Sequence, residues 1–239
     1  YGGYFMKIFV IKKKFIFLFL TTLIATLIIC YCFYIYNSPS LAVDLCSTSL
    51  NDITKSDEKV AYLTFDDGPT TKATAKILDI LKEEKIRATF FVTDKKEELN
   101  YLIKREQKEG HTVALHTATH NYSYLYSSPE AYFEDLKTVS EKVKRITKKE
   151  AKIIRFPGGS SNTVSKKYYP GIMTYLTSEV SLRGYKYYDW NIDSEDATRR
   201  VDENKVYENV VSHLKPNREN IILMHDFSAN EPTKNALRR

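Results

Sequence analysis

The chain has 239 residues, is 43% hydrophobic and 28% charged, and carries a formal net charge of +6. This length and composition fit one globular domain with a short appendage and exclude a disordered chain. Residues 1–36 contain four lysines and no acidic residue, and the rest of the chain contains 32 basic and 30 acidic residues. The basic excess therefore belongs to the N-terminus, which argues against a nucleic-acid-binding protein.

The N-terminal region predicts a membrane anchor. Residues 15–36 form an uncharged apolar run that follows three consecutive lysines, and a helix of this length would extend for roughly 33 Å, enough to cross a hydrocarbon core of about 30 Å. We favour an uncleaved signal-anchor over a cleavable signal peptide, because the run exceeds the usual apolar core of about 7–15 residues and ends in bulky aromatic residues. The lysines predict that residues 1–14 are cytoplasmic and that the remainder lies outside the cell membrane.

Residues 37–58 are polar and are predicted to be a tether to a domain formed by residues 59–239. Short apolar runs in this domain predict strands at 60–65, 88–92, 112–115, 152–156, 186–190 and 220–224. Intervening periodic segments predict helices at 71–84, 97–109, 129–147, 165–182 and 202–215. Strands that alternate with helices indicate an α/β fold with a mostly parallel sheet. The pattern does not separate an open sheet from a closed barrel.

Chemically informative side chains follow the first and third predicted strands. Asp66 and Asp67 end the first strand, and His116 and His120 follow the third. Histidines four residues apart share one face of a helical turn, so the sequence predicts a site in which one aspartate and two histidines bind a divalent ion and leave positions open. Zinc is the first choice, and iron, cobalt, nickel or manganese are alternatives. Taken singly, each motif is equally compatible with a capped turn or with unrelated surface histidines.

The later predicted strands also end in polar motifs. Arg155 begins a segment with two consecutive glycines from Gly158, whose backbone N–H groups allow close approach to a ligand, although a tight turn without function explains the same pattern. Trp190, the only tryptophan, begins a carboxylate-rich segment that reaches Asp196. The last strand leads to His225, which is placed to act as an acid near neutral pH.

In this order the motifs resemble the polysaccharide deacetylase family with the NodB-homology domain, which is carbohydrate esterase family four. The matching segments are TFDDGP at 64–69, HTATH at 116–120, RFPGG at 155–159, residues 190–196 and LMH at 223–225. The resemblance extends from about residue 60 to residue 226. It implies a distorted (β/α) barrel and an enzyme that releases acetate from N-acetylated glycans.

The resemblance also implies roles for residues of this chain by position. The implied metal ligands are Asp67, His116 and His120, and the implied base and acid are Asp66 and His225. The residues implied to contact the substrate, donate to the oxyanion or support these groups are Arg155, Gly158, Trp190, Asp196 and Leu223. Asp193 is an alternative to Asp196 as the supporting carboxylate.

Three departures from the family pattern affect these expectations. Gly158 stands where many members have tyrosine, and Ala197 stands where tryptophan is common. Members usually continue with a helix and a final strand, whereas this sequence ends at Arg239. We therefore expect a C-terminally truncated domain that lacks the final strand.

The residues and the resemblance together predict a metal-dependent polysaccharide N-deacetylase, a hydrolase of linear amides, acting on the N-acetylglucosamine of peptidoglycan at the cell surface. The sequence indicates no nucleic-acid partner and no obligate protein partner. Chitin oligomers or an exopolysaccharide are alternative substrates, and another acyl group is an alternative target. A catalytically silent glycan-binding domain is a further alternative. It predicts the loss of a metal ligand or of the acid, and neither is lost.

Overall fold

The computed structural model describes Ile24 and residues 26–29, 60–199, 201–227 and 230–239. The chain divides into two units, Tyr1–Ser56 and Asp57–Arg239, and the second contains the sheet. No helix in the described part of the chain is both long and apolar enough to span a bilayer. Apart from Ile24 and residues 26–29, the predicted anchor at 15–36 and the tether at 37–58 lie outside the described residues. Both stay predictions.

The second unit is built on a parallel sheet in the order β5-β4-β3-β2-β1-β7-β6. Its strands are β1 (Ala61–Asp66), β2 (Thr89–Val92), β3 (Thr112–Leu115), β4 (Ile153–Ile154), β5 (Lys186–Tyr187), β6 (Ile192–Asp193) and β7 (Asn220–His225). Every neighbouring pair is parallel. Parallel strands need crossover connections, and their carboxyl ends meet at one edge of the sheet. The polar motifs therefore gather at that edge.

Helices supply most of the crossovers. They are α1 (Thr74–Glu83), α2 (Asn100–Lys108), α3 (Tyr122–Leu125), α4 (Pro129–Thr147), α5 (Ile172–Leu182), α6 (Glu203–Val211) and α7 (Glu231–Ala236). Two 3-10 turns cover Glu97–Leu99 and Val164–Lys167. The predicted start of α4 is confirmed, because the Ser128 side chain accepts a hydrogen bond from the Ala131 N–H and Pro129 occupies the first turn. Such a cap is worth about 1 kcal/mol.

The two faces of the sheet have different chemistry because successive side chains on a strand point to opposite sides. The face toward the helices belongs to the hydrophobic core and includes Phe65, Phe90, Leu115, Ile154 and Met224. The alternate positions on the other face are Thr64, Asp66, Phe91, Arg155, Leu223 and His225. Full burial of a large apolar side chain contributes about 1.5–3 kcal/mol to stability. Packing of the core face against the helices therefore stabilises the sheet, and the opposite face carries the functional groups.

The sheet is strongly curled. Arg155 follows β4 and Asp66 ends β1, which are three strand positions apart and would lie about 14 Å from each other in a flat sheet. Nevertheless, Arg155 Nη1 lies 2.9 Å from Asp66 Oδ1. Within the described residues, β5 and β6 are the free edges and do not pair with each other. The barrel implied by the resemblance is therefore observed as a curled half-barrel.

One predicted helix needs correction, and two short elements were not predicted. The helix expected over 165–182 is split into a 3-10 turn and α5, because a proline at position 170 disfavours helical backbone in the residue before it. The two-residue strand β6 was not predicted, since it lies in a carboxylate-rich segment without a measurable apolar period. The short helix α3 was also missed, although the Asn121 side chain accepts a hydrogen bond from Ser123 N–H as its N-cap.

Candidate active site

Three side chains predicted to bind a metal converge at the carboxyl edge of the sheet. Asp67 Oδ1 lies 3.3 Å from His120 Nε2 and 3.6 Å from His116 Nε2. One donor atom from each residue lies within 4.8 Å of the others. Atoms bound at about 2.0–2.2 Å to a tetrahedral zinc ion lie roughly 3.4 Å apart, so this cluster has the spacing of a site for one ion.

The hydrogen bonding of the cluster also fits a divalent cation. Asp67 Oδ1 is buried and accepts no hydrogen bond from any described residue, and such an unpaired acceptor is costly unless something else binds it. His116 Nδ1 lies 2.8 Å from the Arg155 carbonyl oxygen. Because a carbonyl only accepts, Nδ1 carries the proton and Nε2 keeps a free lone pair. Burial lowers the pKa of His116 to about 3, which keeps the ring neutral as a metal ligand must be.

The backbone is bent at two of these residues. Asp67 has φ +79° and His120 has φ +51°, a left-handed conformation that costs roughly 1–3 kcal/mol per residue outside glycine. The bend at Asp67 brings its carboxylate to the same pocket as that of Asp66, as the sequence predicted. The helical turn predicted for residues 116–120 is wrong, because this segment is an irregular loop in which His120 N–H donates to Thr117 Oγ1 at 2.8 Å.

Asp66 lies beside the cluster and is held by Arg155. The guanidinium of Arg155 is fully buried. Its Nη1 donates to Asp66 Oδ1 at 2.9 Å and to Thr64 Oγ1 at 2.8 Å, and its Nε donates to the Tyr188 carbonyl at 2.9 Å. Burial raises the pKa of Asp66, and the charge of Arg155 opposes that increase. Asp66 is therefore an oriented carboxylate with more basic character than an exposed one.

His225 lies directly beside Asp66, because the two are register partners on β7 and β1. Its Nδ1 contacts Asp196 Oδ1 at 2.7 Å, and its backbone N–H donates to Asp196 Oδ2 at 2.8 Å. Burial lowers the pKa of His225, but the hydrogen bond and charge of Asp196 outweigh it and raise the pKa to about 9. At neutral pH the protonated imidazole of His225 therefore lies beside the carboxylate of Asp66.

Asp196 has further donors from the end of the chain. Its Oδ2 accepts from Asn230 Nδ2 at 2.7 Å and from Thr233 Oγ1 at 2.6 Å. Burial raises the pKa of Asp196, but the hydrogen bonds led by that of His225 lower it below its usual value. The alternative carboxylate, Asp193, is exposed and accepts from the Glu195 N–H at 2.8 Å. Asp196 and not Asp193 therefore contacts His225.

The glycine turn after β4 borders the same pocket. Gly158 has φ +75°, and its N–H donates no hydrogen bond to any described residue. Trp190 packs on the turn, because a Cβ atom on Gly159 would lie 3.3 Å from its ring, and the Arg155 guanidinium lies 5.6 Å from the centre of the indole. Leu223 is buried on the concave face, opposite Thr64 in β1.

Comparison with known proteins agrees with this arrangement. The polysaccharide deacetylase family matches residues 54–170. A putative polysaccharide deacetylase of Bacillus subtilis, YheN, is 33% identical over 209 residues, which cover 84% of this chain and 67% of the relative. The chain belongs to the polysaccharide deacetylase family. The family predicted from the motifs is confirmed. The predicted enzyme class, a polysaccharide deacetylase, is confirmed with it.

Two further members of the polysaccharide deacetylase family are similar to the chain. A peptidoglycan-N-acetylglucosamine deacetylase of Bacillus cereus is 37% identical over 191 residues, covering 77% of this chain and 66% of the relative. The crystal structure of the catalytic domain of peptidoglycan N-acetylglucosamine deacetylase from Eubacterium rectale is 44% identical, with a TM-score of 0.70 over 74% of this chain and 81% of that one. The chain spans about two thirds of the length of the first two curated relatives.

Sequence reasoning missed two buried carboxyls that hold the loops of this polysaccharide deacetylase site. Asp135 of α4 accepts from the Ala118 and Thr119 N–H groups at 2.6 and 3.0 Å, and so fixes the loop between the two histidines. Asp226 accepts from the Thr74 hydroxyl and packs under the turn after Asp67. Burial raises the pKa of Asp226 to about 7. An aspartate on the apolar side of a predicted helix was the only available signal for Asp135.

Tyr122 of α3 borders the pocket beside His120. The ring centroids of these two residues lie 5.6 Å apart in an edge-on contact. The Tyr122 hydroxyl lies 2.9 Å from the position of a Cβ atom on Gly158. Burial, followed by the negative charges of Asp67 and Asp66, raises the pKa of Tyr122, so its hydroxyl keeps its proton at neutral pH.

Proposed function

We propose that the chain is a metal-dependent deacetylase that hydrolyses N-acetyl groups of a cell-surface polysaccharide and releases acetate. The main support for this proposal is the convergence of Asp67, His116 and His120 next to the pair formed by Asp66 and His225. Amide hydrolysis requires an electrophilic carbonyl, a base for the attacking water and an acid for the leaving amine. The site contains side chains suited to each of these needs.

Asp67, His116 and His120 would hold the divalent ion through one carboxylate oxygen and two imidazole nitrogens. When bound, such an ion supplies a Lewis acid that polarises the acetyl carbonyl and lowers the pKa of water. Zinc is the proposed ion, because a carboxylate and two imidazoles in a site with open positions suit it well. Cobalt, nickel, manganese and iron accept the same donors.

Asp66 is the proposed general base. It removes a proton from the water whose oxygen forms the new bond to the acetyl carbon. Its hydrogen bond to Arg155 fixes the orientation of the carboxylate, and its raised pKa brings its basicity closer to neutral pH, where proton transfer is most effective.

His225 is the proposed general acid. The amide nitrogen must receive a proton as the carbon–nitrogen bond breaks, because a free amide anion is a very poor leaving group. Asp196 keeps the imidazole protonated and fixes its orientation through Nδ1, leaving Nε2 to donate to the nitrogen. The products are acetate and the free amine of the sugar.

The Gly158 N–H is the proposed backbone donor to the oxyanion, since it has no partner among the described residues. Leu223, buried on the concave face between β1 and β6, is the proposed contact for the acetyl methyl group. The ring of Trp190 packs against the glycine turn and supports it. The Gly158 N–H would thus contact the oxygen of the acetyl group, and Leu223 would contact its methyl group.

Peptidoglycan N-acetylglucosamine is the proposed substrate. The names of the Bacillus cereus and Eubacterium rectale relatives support it. The apolar run at 15–36 supports a single-pass anchor with the catalytic domain on the extracytoplasmic side, where a wall polymer is accessible. Both the anchor and the location are proposals from sequence.

Acetate release from purified peptidoglycan and from chitin oligomers tests this function, with the full chain loaded with zinc. Asp66→Asn and His225→Ala should each lower the rate by about 10²–10⁴-fold, while Asp193→Asn, a change at an exposed carboxylate, should leave it unchanged. A faster reaction on chitin oligomers would reassign the substrate. Binding of either glycan without acetate release would support a silent binding domain instead.

A further inference from the structure

We propose that the Tyr122 hydroxyl is a second oxyanion donor, which acts with the Gly158 N–H on the acetyl oxygen in the transition state. Tyr122 lies on α3 and borders Gly158, whereas Trp190 borders Gly159. This role rests on the proposed deacetylase activity. It assigns a catalytic contact to a residue outside the motif segments.

The position of the hydroxyl is the first argument. The Tyr122 oxygen is 2.9 Å from where a Cβ atom of Gly158 would lie, which is closer than real Cβ contacts allow. The absence of a side chain at Gly158 therefore leaves room for the phenol beside the free backbone N–H. Gly158 stands where the family pattern often has tyrosine. In this chain the hydroxyl of Tyr122, which lies on α3, borders the turn instead.

The lack of a partner is the second argument. The neighbouring hydroxyls are both used, since Tyr124 donates to Glu134 at 3.0 Å and Tyr126 donates to the Pro157 carbonyl at 2.8 Å. The Tyr122 hydroxyl makes no hydrogen bond to any described residue. A half-buried phenol hydroxyl that lacks an acceptor is free to donate a hydrogen bond to a bound ligand.

The ring is held rigidly, which is the third argument. It contacts the His120 ring edge-on at 5.6 Å and the Tyr126 ring edge-on at 5.6 Å between centroids. Tyr126 is itself fully buried. A donor fixed before the reaction costs no reorganisation when charge develops.

The electron flow defines what the hydroxyl does. As the water oxygen adds to the acetyl carbon, the π electron pair of the carbonyl moves to the acetyl oxygen. Tyr122 donates a hydrogen bond to that negative oxygen and keeps its proton throughout. When the carbon–nitrogen bond breaks, the pair returns to form the acetate carbonyl and the nitrogen takes the proton of His225.

Tyr122→Phe tests the proposal, because it removes only the oxygen and keeps the ring contacts. With zinc-loaded full chain and chitin oligomers or peptidoglycan, kcat should fall by about 10²-fold or more, while KM changes little. Tyr124→Phe is the matched control on the same helix and should retain the wild-type kcat. An unchanged kcat for Tyr122→Phe, or a raised KM with unchanged kcat, would overturn the proposal.

Zinc binding and anion binding distinguish a donor to the oxyanion from a residue that only packs against His120. Tyr122→Phe should bind the same amount of zinc per chain as the wild type, and a loss of zinc would mean that the residue only supports His120. Methylphosphonate, a tetrahedral anion resembling the reacting acetyl centre, should bind the zinc-loaded Tyr122→Phe chain about 10-fold or more weakly by calorimetry. Equal binding overturns the proposal even if the wild type releases no acetate, in which case the deacetylase function fails separately.

Discussion

Asp66 and His225 are paired residue for residue across the parallel strands β1 and β7, with both side chains on the concave face of the sheet. Neighbouring strands lie about 4.8 Å apart, so the backbone itself sets the separation of the proposed base and acid. Each has its own partner on the side away from the other: Arg155 for Asp66 and Asp196 for His225. A positive partner for the base and a negative partner for the acid favour opposite charges on the two groups at neutral pH.

The pH dependence of kcat/KM should report His225. Its pKa is about 9, and the proposed acid works only when protonated, so the rate should fall as pH rises through about 9. Removing the charge of Asp196 with Asp196→Asn should lower the pKa of His225 by roughly 1–3 units and move the alkaline limb to lower pH. Asp193→Asn should not move it. An alkaline limb that stays in place in Asp196→Asn would contradict the assignment of His225 as the acid.

Arg155 should be essential for stability as well as for orientation of Asp66. Arg155→Met leaves the buried Asp66 carboxylate and the carbonyls of Tyr188 and Asp189 without their donor. The free energy of unfolding should therefore fall by about 3–5 kcal/mol in urea denaturation. Arg238→Met removes an exposed arginine that pairs with Glu83 at 2.9 Å and should cost less than about 1 kcal/mol. Equal effects of the two substitutions would show that the buried network is not the source of the stability.

Gly68 should tolerate no side chain. A Cβ atom there would lie 2.0 Å from Asp226 Oδ2, so Gly68→Ala must displace either that carboxyl or the adjacent Asp67. We expect weaker zinc binding and a large loss of acetate release. Gly171→Ala is the control: nothing lies within 4 Å of its added Cβ, and the strain that alanine brings at its φ of +83° falls outside the metal-binding loops, so it should keep zinc affinity. Wild-type zinc affinity in Gly68→Ala would rule out the proposed tight coupling of this turn to Asp67.

Asp135 should act on metal affinity without contacting the ion. Its two oxygens accept from backbone N–H groups between the histidines, and an asparagine at this position has only one accepting oxygen. Asp135→Asn should therefore weaken zinc binding by about 10–100-fold in competition titrations with a chelator. Asp202→Asn, at the exposed N-cap of α6, should have no effect because asparagine caps equally well. Unchanged affinity in Asp135→Asn would mean that the loop keeps its shape without the carboxylate.

The sequence was sufficient for features that depend on short segments. Five of the six predicted strands contain apolar runs that match observed core positions, for example Phe65 and Leu115, and the capped start of α4 follows from adjacent residues. The candidate metal ligands could be named because Asp67 and His116 directly follow strand ends and His120 lies four residues beyond His116, within motifs that resemble those of the family. Parallel strands bring such ends together without any further information.

Features that depend on backbone conformation or on distant contacts were not predictable. Nothing in the sequence distinguishes a helical turn from the loop in which His120 adopts φ +51°. Histidine tolerates this region better than most residues, but the sequence does not mark where it occurs. Asp135 and Tyr122 reach the site from helices α4 and α3, and a single polar residue on a helix has no periodic signature.

We propose that one divalent ion, held by Asp67, His116 and His120, is needed for acetate release. The most direct measurement is a zinc titration of metal-free full chain, with acetate release from peptidoglycan recorded at each addition. We expect no release without metal and a rate that saturates at one zinc per chain, with no such activation in His120→Ala. A metal-free chain that releases acetate at the full rate would contradict it.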